Sequence, residues 1–249
     1  MDLDLKGKVA LVTGSSRGIG FAIAKGLVDE GCTVVLNGRQ QDSLLASAVK
    51  LGVTYLQGDV SRSADSLAII DKLVSNFGRL DILVANVGSG ASVKGGMETR
   101  DEWIRMLELN LLSTTSIVDA ARPVLVASKG VILCISSICG VASLGAPIAY
   151  SAAKAALNSY VKGMSSVLGP EGVRINGLAP GNVLFPGSTW ERKLQEDKDF
   201  VEAMLNTQVP LGRFAKPGEI SDIAVFLCSK RAEFMTGSIV IADGGQVQV

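Results

Sequence analysis

The sequence predicts an α/β fold: one doubly wound parallel sheet of about seven strands, with helices on both faces. Three observations predict it. Short β-branched runs alternate with helical patterns along the chain, the order that builds parallel sheets from strand–helix–strand units. The length, 249 residues, suits one large α/β domain, and 47% apolar residues are enough to bury a sizeable core. No linker, low-complexity tract or repeat interrupts the pattern, so residues 1–249 read as a single domain.

The elements follow in order. Val9–Thr13 is a buried strand, followed by a glycine turn and a helix over about Ile19–Glu30. Thr33–Asn37 is the second strand. A helix near Ser43–Leu51 precedes the third, Val53–Gln57. A helix near Ala64–Phe77 leads to Leu80–Ala85, and one long helical stretch, about Arg100–Ala127, leads to Val131–Ile135. The run Ile148–Asn158 is Ala-rich and free of Pro and Gly, so it reads as helix. Val173–Leu178, a last helix over about Gly218–Ser229 and the strand Ser238–Ala242 complete the series. The segment at about 182–210 is the exception. It is long for a connection and carries an amphipathic piece, Trp190–Leu205; excursions of this kind act as lids.

Composition removes several chemistries. The chain has no histidine, which excludes a Ser-His-Asp triad, a Cys-His dyad and an HExxH zinc site. Acid–base work must fall to Tyr, Lys, Asp, Glu or Cys. Lys+Arg and Asp+Glu are both 24, and this zero net charge points away from nucleic acid and from anionic membranes. No apolar run approaches the roughly 18–20 residues of a spanning helix. The start, Met-Asp-Leu-Asp-Leu-Lys-Gly-Lys, lacks the form of a signal peptide. The four cysteines, Cys32, Cys134, Cys139 and Cys228, form no CxxC pair, so free thiols in the cytoplasm and no metal site are expected.

Two motifs carry chemistry. Thr13-Gly-Ser-Ser-Arg-Gly-Ile-Gly20 joins the first strand to the first helix, where glycines bring the backbone close to a ligand and free helix N–H groups face an anion. Its spacing departs from the strict G-x-G-x-x-G fingerprint, but the strand-before, helix-after context favours phosphate binding over a plain turn. Tyr150 and Lys154 stand at i and i+4 on one helix face, so an ammonium beside the phenol should lower the tyrosine pKa toward neutrality. By itself that spacing is more often a solvated pair.

Together these residues make the chain resemble the short-chain dehydrogenase/reductase family, including its 3-oxoacyl-[acyl-carrier-protein] reductase-like members, over Lys8 to Gly245. The family's T-G-x-x-x-G-I-G matches Thr13–Gly20, and its Y-x-x-x-K matches Tyr150–Lys154. Its serine thirteen residues before the tyrosine matches Ser137, and its helix asparagine matches Asn110. Its P-G matches Pro180-Gly181, and its D-G-G matches Asp243–Gly245. The resemblance implies a Rossmann-type fold and a catalytic set of Asn110, Ser137, Tyr150 and Lys154. Tyr150 would be the proton donor, Lys154 would tune it and hold the nicotinamide ribose, Ser137 would orient the carbonyl, and Asn110 would hold a water. Cofactor contacts are implied at Gly14, Ser16, Arg17, Gly18, Ile19 and Gly20, and at Asn37, Arg39, Asp59 and Val60. Further contacts are implied at Asn86, Gly88, Tyr150, Lys154, Pro180, Gly181 and Val183. Two positions depart from the pattern: N-N-A-G reads Ala85-Asn-Val-Gly88, and Phe185 stands where a cofactor-contacting threonine is frequent, with Ser188 or Thr189 as substitutes.

Gly38 follows the second strand and stands where NAD enzymes place an acid, and Arg39 and Arg17 supply guanidinium groups for a 2′-phosphate. NADP(H) is therefore the expected cofactor, with NAD(H) the weaker possibility. Asp59 either contacts adenine or belongs to a helix N-cap region. The segments expected to line the substrate pocket are Ser89–Val93, Ile138–Ile148 and Phe185–Leu205. They are mostly small and apolar, with Phe185 and Trp190 as walls, and the first two carry no charge save Lys94 beyond their edge, which suggests a small or medium neutral ketone or alcohol. Reduction of acyl groups on acyl carrier protein ranks second. Arg122 and Lys129 would help its docking, but Glu171 opposes it. A non-catalytic NADPH-binding regulator ranks third. The apolar positions Leu157, Val161, Met164 and Leu168 recur at helical spacing and suggest a self-complementary face for a homotetramer, or else packing on the sheet.

Overall fold

A computed structural model describes residues 2–247. All seven expected strands are present: β1 (Val9–Val12), β2 (Thr33–Gly38), β3 (Thr54–Gln57), β4 (Ile82–Ala85), β5 (Val131–Ile135), β6 (Arg174–Pro180) and β7 (Ile239–Ala242). Every pairing is parallel, in the order β3-β2-β1-β4-β5-β6-β7. The chain works outward from β1 to β3, then returns to lay β4 on the other side of β1. That reversal opens a crevice above the carboxyl ends of β1 and β4, the place where open α/β sheets bind ligands.

Helices cover both faces. On one side, α1 (Gly18–Asp29) and α9 (Pro217–Cys228) pack with the inward residues of β1, β2, β4 and β5, around Ile23, Leu27, Leu36 and Val84. On the other, α3 (Ser63–Phe77), α5 (Ser113–Ser128) and α6 (Ile148–Leu168) bury Leu73, Ile117, Leu125 and Leu157. The helix α2 (Gln41–Leu51) links β2 to β3. Strands buried on both faces explain the unbroken apolar runs of the sequence.

Two expectations need correction. The stretch Arg100–Ala127 is not one helix. It comprises α4 (Arg100–Leu107), a π-helical turn at Glu108–Leu112, and α5. Asn110 sits in the wide turn, and its side-chain amide donates to the Met106 carbonyl four residues back, so the side chain joins the helix ladder. The stripe Leu157, Val161 and Leu168 is fully buried against the sheet, with Met164 partly so. These positions serve the monomer's own core and offer no face to a second copy.

The excursion after β6 contains α7 (Thr189–Glu196) and α8 (Lys198–Gln208). Val201, Met204, Leu205 and Val209 form a small core of their own with Trp190, Leu194 and Phe214. Its two ends are stapled together: Leu184 N–H donates to Ala215 O at 3.0 Å, and Ala215 N–H to Asn182 O at 2.9 Å. No helix among the described residues is long and apolar enough to cross a membrane.

Candidate active site

The glycine turn enters α1 through left-handed backbone at Gly14 and Gly18, both with φ of +60°. Ser15 fixes it to the sheet, its hydroxyl donating to Val12 O at 2.7 Å. Asn86, at the end of β4, reaches across the crevice, and its amide donates to Thr13 O and Gly14 O, each at 3.0 Å. The first turn of α1, with Gly18, Ile19 and Gly20, has neither a side-chain cap nor an acid. Its N–H groups are thus left for an anion, as a dinucleotide phosphate requires.

The catalytic candidates come from three elements. Lys154, on α6, is 3% exposed, and its Nζ donates to the carbonyl of Ile135, the last residue of β5, at 2.8 Å. Ser137 follows β5, and its Oγ accepts the Cys139 N–H at 3.1 Å. Asn158, one turn beyond Lys154, bolts this loop to α6: it accepts from Ser136 Oγ at 2.5 Å and donates to Gly140 O at 3.0 Å. The approach is close enough that a Cβ on Gly140 would lie 2.6 Å from the Lys154 backbone. Asn110 is fully buried. Its Oδ1 accepts the Ser89 N–H at 2.8 Å and its Nδ2 donates to Ser89 O at 3.1 Å, so its side chain clamps the loop after β4. Gly88 abuts both Asn110 and Lys154.

The electrostatics differ from the sequence expectation. Burial pushes the Tyr150 phenol up to about 12, and the Ser137 hydroxyl pulls it only partly back. Burial also lowers Lys154 to about 8. The ammonium is turned to the β5 carbonyl and does not drive the phenol toward ionisation. The phenol is therefore protonated through the physiological range.

The residues assigned to cofactor contact divide. Gly14, Ser16, Arg17, Gly18, Ile19 and Gly20 surround the turn; Asn86 and Gly88 flank it; Pro180 ends β6 and Gly181 follows it. Gly14, Arg17, Ile19, Gly20, Asn86, Gly88, Tyr150, Lys154, Gly181 and Val183 line one cleft of about 910 Å³, together with Ser137. Asn37 does not face the groove. It is 1% exposed, and its amide donates to Leu56 O and Gly58 O, stitching β2 to the β3 end. The Val60 side chain is core, and Val183 packs in the core while touching the cleft. The two arginines do not converge on one point: Arg17 donates to Gly187 O at 3.3 Å, and Arg39 pairs with Asp59 at 3.5 Å. Phe185 lies over the turn, so that a Cβ on Gly18 would meet its ring at 2.5 Å. Ser188 is the N-cap of α7, accepting the Glu191 N–H at 3.1 Å.

Several site residues lie outside the motifs. The Glu98 carboxylate accepts the N–H groups of Ile148 (2.6 Å), Ala149 (3.3 Å) and Gly96 (2.7 Å), capping the helix that carries Tyr150. Glu98 is fifty residues from its partner, too far for any local pattern to reveal it. Cys139, Trp190, Arg192 and Lys193 also line the cleft.

A parallel sheet with a phosphate-ready turn at its reversal point, and a tyrosine, lysine and serine facing the same crevice, defines a dinucleotide-dependent oxidoreductase. The chain belongs to the short-chain dehydrogenase/reductase family, whose members act on alcohol and carbonyl groups. A family model described as enoyl-(acyl carrier protein) reductase matches residues 14–246. L-fucose dehydrogenase of Mus musculus is 35% identical over 243 residues, covering 96% of this chain and 88% of that protein. L-sorbose reductase from Gluconobacter frateurii, solved with NADPH and L-sorbose, superposes with a TM-score of 0.93 at 34% identity over 100% of both chains. The Pseudomonas aeruginosa RhlG/NADP complex gives 0.90 at 31% identity over 98% of both.

Proposed function

We propose that the protein is an NADP(H)-dependent reductase of a small carbonyl compound, working reversibly on the corresponding alcohol. The observation that carries this reading is the half-buried, protonated phenol of Tyr150 beside Ser137 in a cleft that continues to the uncapped start of α1. Gly14 to Gly20 would hold the phosphates, and Lys154 the nicotinamide ribose. The bound nicotinamide supplies or accepts the hydride. Ser137 donates a hydrogen bond to the carbonyl oxygen and positions it. Tyr150 gives its proton to that oxygen as it takes on negative charge. Burial keeps the phenol protonated and so with a proton to give; because carbonyl reduction consumes a proton, reduction should be favoured toward low pH and alcohol oxidation should gain as pH rises. Asn110 acts at a remove, through Ser89, and the segment at 182–210 serves as the lid. The preference for NADP(H) is supported by Gly38, which leaves room beside Ser16 and brings no acid, by the nearby Arg39 and Arg17, and by the NADPH and NADP complexes of the structural neighbours.

The reading of a neutral substrate rested on the first two wall segments; the third brings Arg192 and Lys193 into the cleft. Reduction on acyl carrier protein stays second, since Arg122 is held by Glu171 through a two-point ion pair at 2.5 and 3.1 Å. The test is oxidation of NADPH and NADH with a panel of ketones and hydroxyketones, beside fluorescence titration of both cofactors on wild type and Arg39→Ala. Turnover with NADPH and a tenfold or greater loss of its affinity on Arg39→Ala are expected. Equal affinity of the wild type for both cofactors would overturn the preference, and binding without any turnover would favour the regulator.

A further inference from the structure

The cleft does not share the charge balance of the chain. The sequence is neutral overall, yet Arg17, Lys94, Lys154, Arg192 and Lys193 line the cleft against a single acid, Glu191. Three of the cations have partners. Lys154 donates to Ile135 O, Arg17 donates to Gly187 O, and Arg192 Nε lies 3.6 Å from Glu196. Glu191 is itself engaged, accepting the Gly187 N–H at 2.6 Å. Lys94 and Lys193 have no acidic partner among the described residues.

Lys193 is the better placed of the two. It is half-buried, and its Nζ stands 4.6 Å from the centroid of the Trp190 ring, which packs on Phe214 at 5.3 Å. The indole holds the lysine on the wall of the cleft instead of leaving it to sweep through solvent. Lys193 shares the cleft with Cys139, whose N–H donates to Ser137 Oγ. Burial pushes the Cys139 thiol up, and the Ser137 hydroxyl, then the Lys193 ammonium, pull it partway back.

We propose that the outer part of the cleft is an anion subsite, in which Lys193, with Lys94 as a second cation, receives a carboxylate or phosphate group borne by the carbonyl substrate. This rests on the reading of the cleft as a carbonyl-reducing site and names the class of its substrate. A cation held in a concave wall of low dielectric attracts an anion more strongly than one on an open surface. Here no acid has to be displaced first. A neutral ketone leaves both ammonium groups without a counter-charge, whereas a keto acid or keto phosphate neutralises them while its carbonyl faces Tyr150 and Ser137.

The experiment has two arms. In the first, oxocarboxylates with one to four carbons between ketone and carboxylate are compared with their methyl esters, and keto phosphates with the matching alcohols, by kcat/KM with NADPH. At the best length the wild type should prefer the anion by about tenfold or more, roughly one ion pair in a half-buried setting. In Lys193→Gln that ratio should fall toward unity through KM. In Lys198→Gln, an exposed lysine of α8 paired with Glu202, it should hold. In the second arm, glutarate and dimethyl glutarate are titrated into the NADPH-loaded protein by tryptophan fluorescence, so that anion binding is read without turnover. Tighter binding of the diacid, lost in Lys193→Gln, supports the subsite. Equal binding of diacid and ester, or a preference that survives Lys193→Gln, overturns it, as does preference for a carrier-protein thioester over every small acid. Failure of all ketones in the first arm would sink the reductase reading, while the second arm still decides the subsite.

Discussion

Replacing Lys154 by methionine should make the protein more stable and inactive at once. The side chain is 3% exposed, and burial lowers its pKa from 10.5 to about 8. Between those values the unfolded chain binds more protons than the folded one, so stability rises with pH through that window. At pH 7 the fold bears the whole penalty of a buried charge. The drop, 10.5 − 8, is 2.5 pH units; at ~1.4 kcal/mol per unit it amounts to roughly 3–4 kcal/mol. Methionine fills nearly the same volume without charge, but leaves the Ile135 carbonyl short of a donor, a loss of about 1 kcal/mol. The net gain is roughly 2–3 kcal/mol, or a rise in Tm of about 4–12 °C for a domain of this size. Thermal melts of wild type and Lys154→Met at pH 7 should show the gap, and melts near pH 10 should show it narrowing; turnover, measured beside them, should vanish. A Tm at pH 7 equal to or below wild type, or a gap that ignores pH, would refute the reasoning.

Tyr150→Phe keeps the ring and removes the donor, so kcat should fall roughly a hundred- to ten-thousandfold with the NADPH dissociation constant nearly unchanged; retention of more than about a tenth of kcat would remove Tyr150 from the role of acid. At Glu98, burial pushes the carboxyl up, but the N–H groups of Ala149, Gly96 and Ile148 outweigh it and hold its pKa below the usual 4.5. The stability it adds is therefore present above pH 4.5 and lost as pH falls through its folded value, so Glu98→Gln should melt below wild type at pH 7 and the difference should close in acid; a gap that persists below pH 3 would contradict this. A homotetramer remains the proposal for solution: the edge strand β7 is half-exposed along all four residues, and light scattering should give about four times the 25.9 kDa chain mass, with a monomeric mass refuting it.

What could be read from the sequence was local. The glycine turn, the seven apolar strands and the Tyr150–Lys154 pair are each written within a few residues, and their backbone periods place them without knowledge of the rest. What escaped depends on contacts between distant segments. The wide turn around Asn110, where its amide donates to the Met106 carbonyl, leaves no mark in the helical period of the sequence. Asn37 reads as a groove residue by its place at the strand end, but the β3 end claims its side chain. The Leu157 stripe has the same period whether it meets a sheet or another copy, and only the packing decides. The setting of Lys154 escaped for a related reason: shared helix face brings it near Tyr150, but only the packed fold shows its ammonium donating to the Ile135 carbonyl.

The stapled base of the excursion between β6 and α9 makes it exchangeable. Asn182–Leu184 and Ala215 are already joined by backbone hydrogen bonds, so whatever chain lies between them begins and ends at one fixed gate. The entropy of bringing such ends together grows only slowly with length, by about 0.6 kcal/mol for each doubling. A shorter or longer segment beyond Ser188 should therefore be graftable at little entropic cost, whereas Phe185 and Gly187, which lie against Gly18 and Arg17, have to stay for the cofactor half of the crevice to keep its geometry. The scaffold thus allows substrate choice to drift while the redox machinery stays in place.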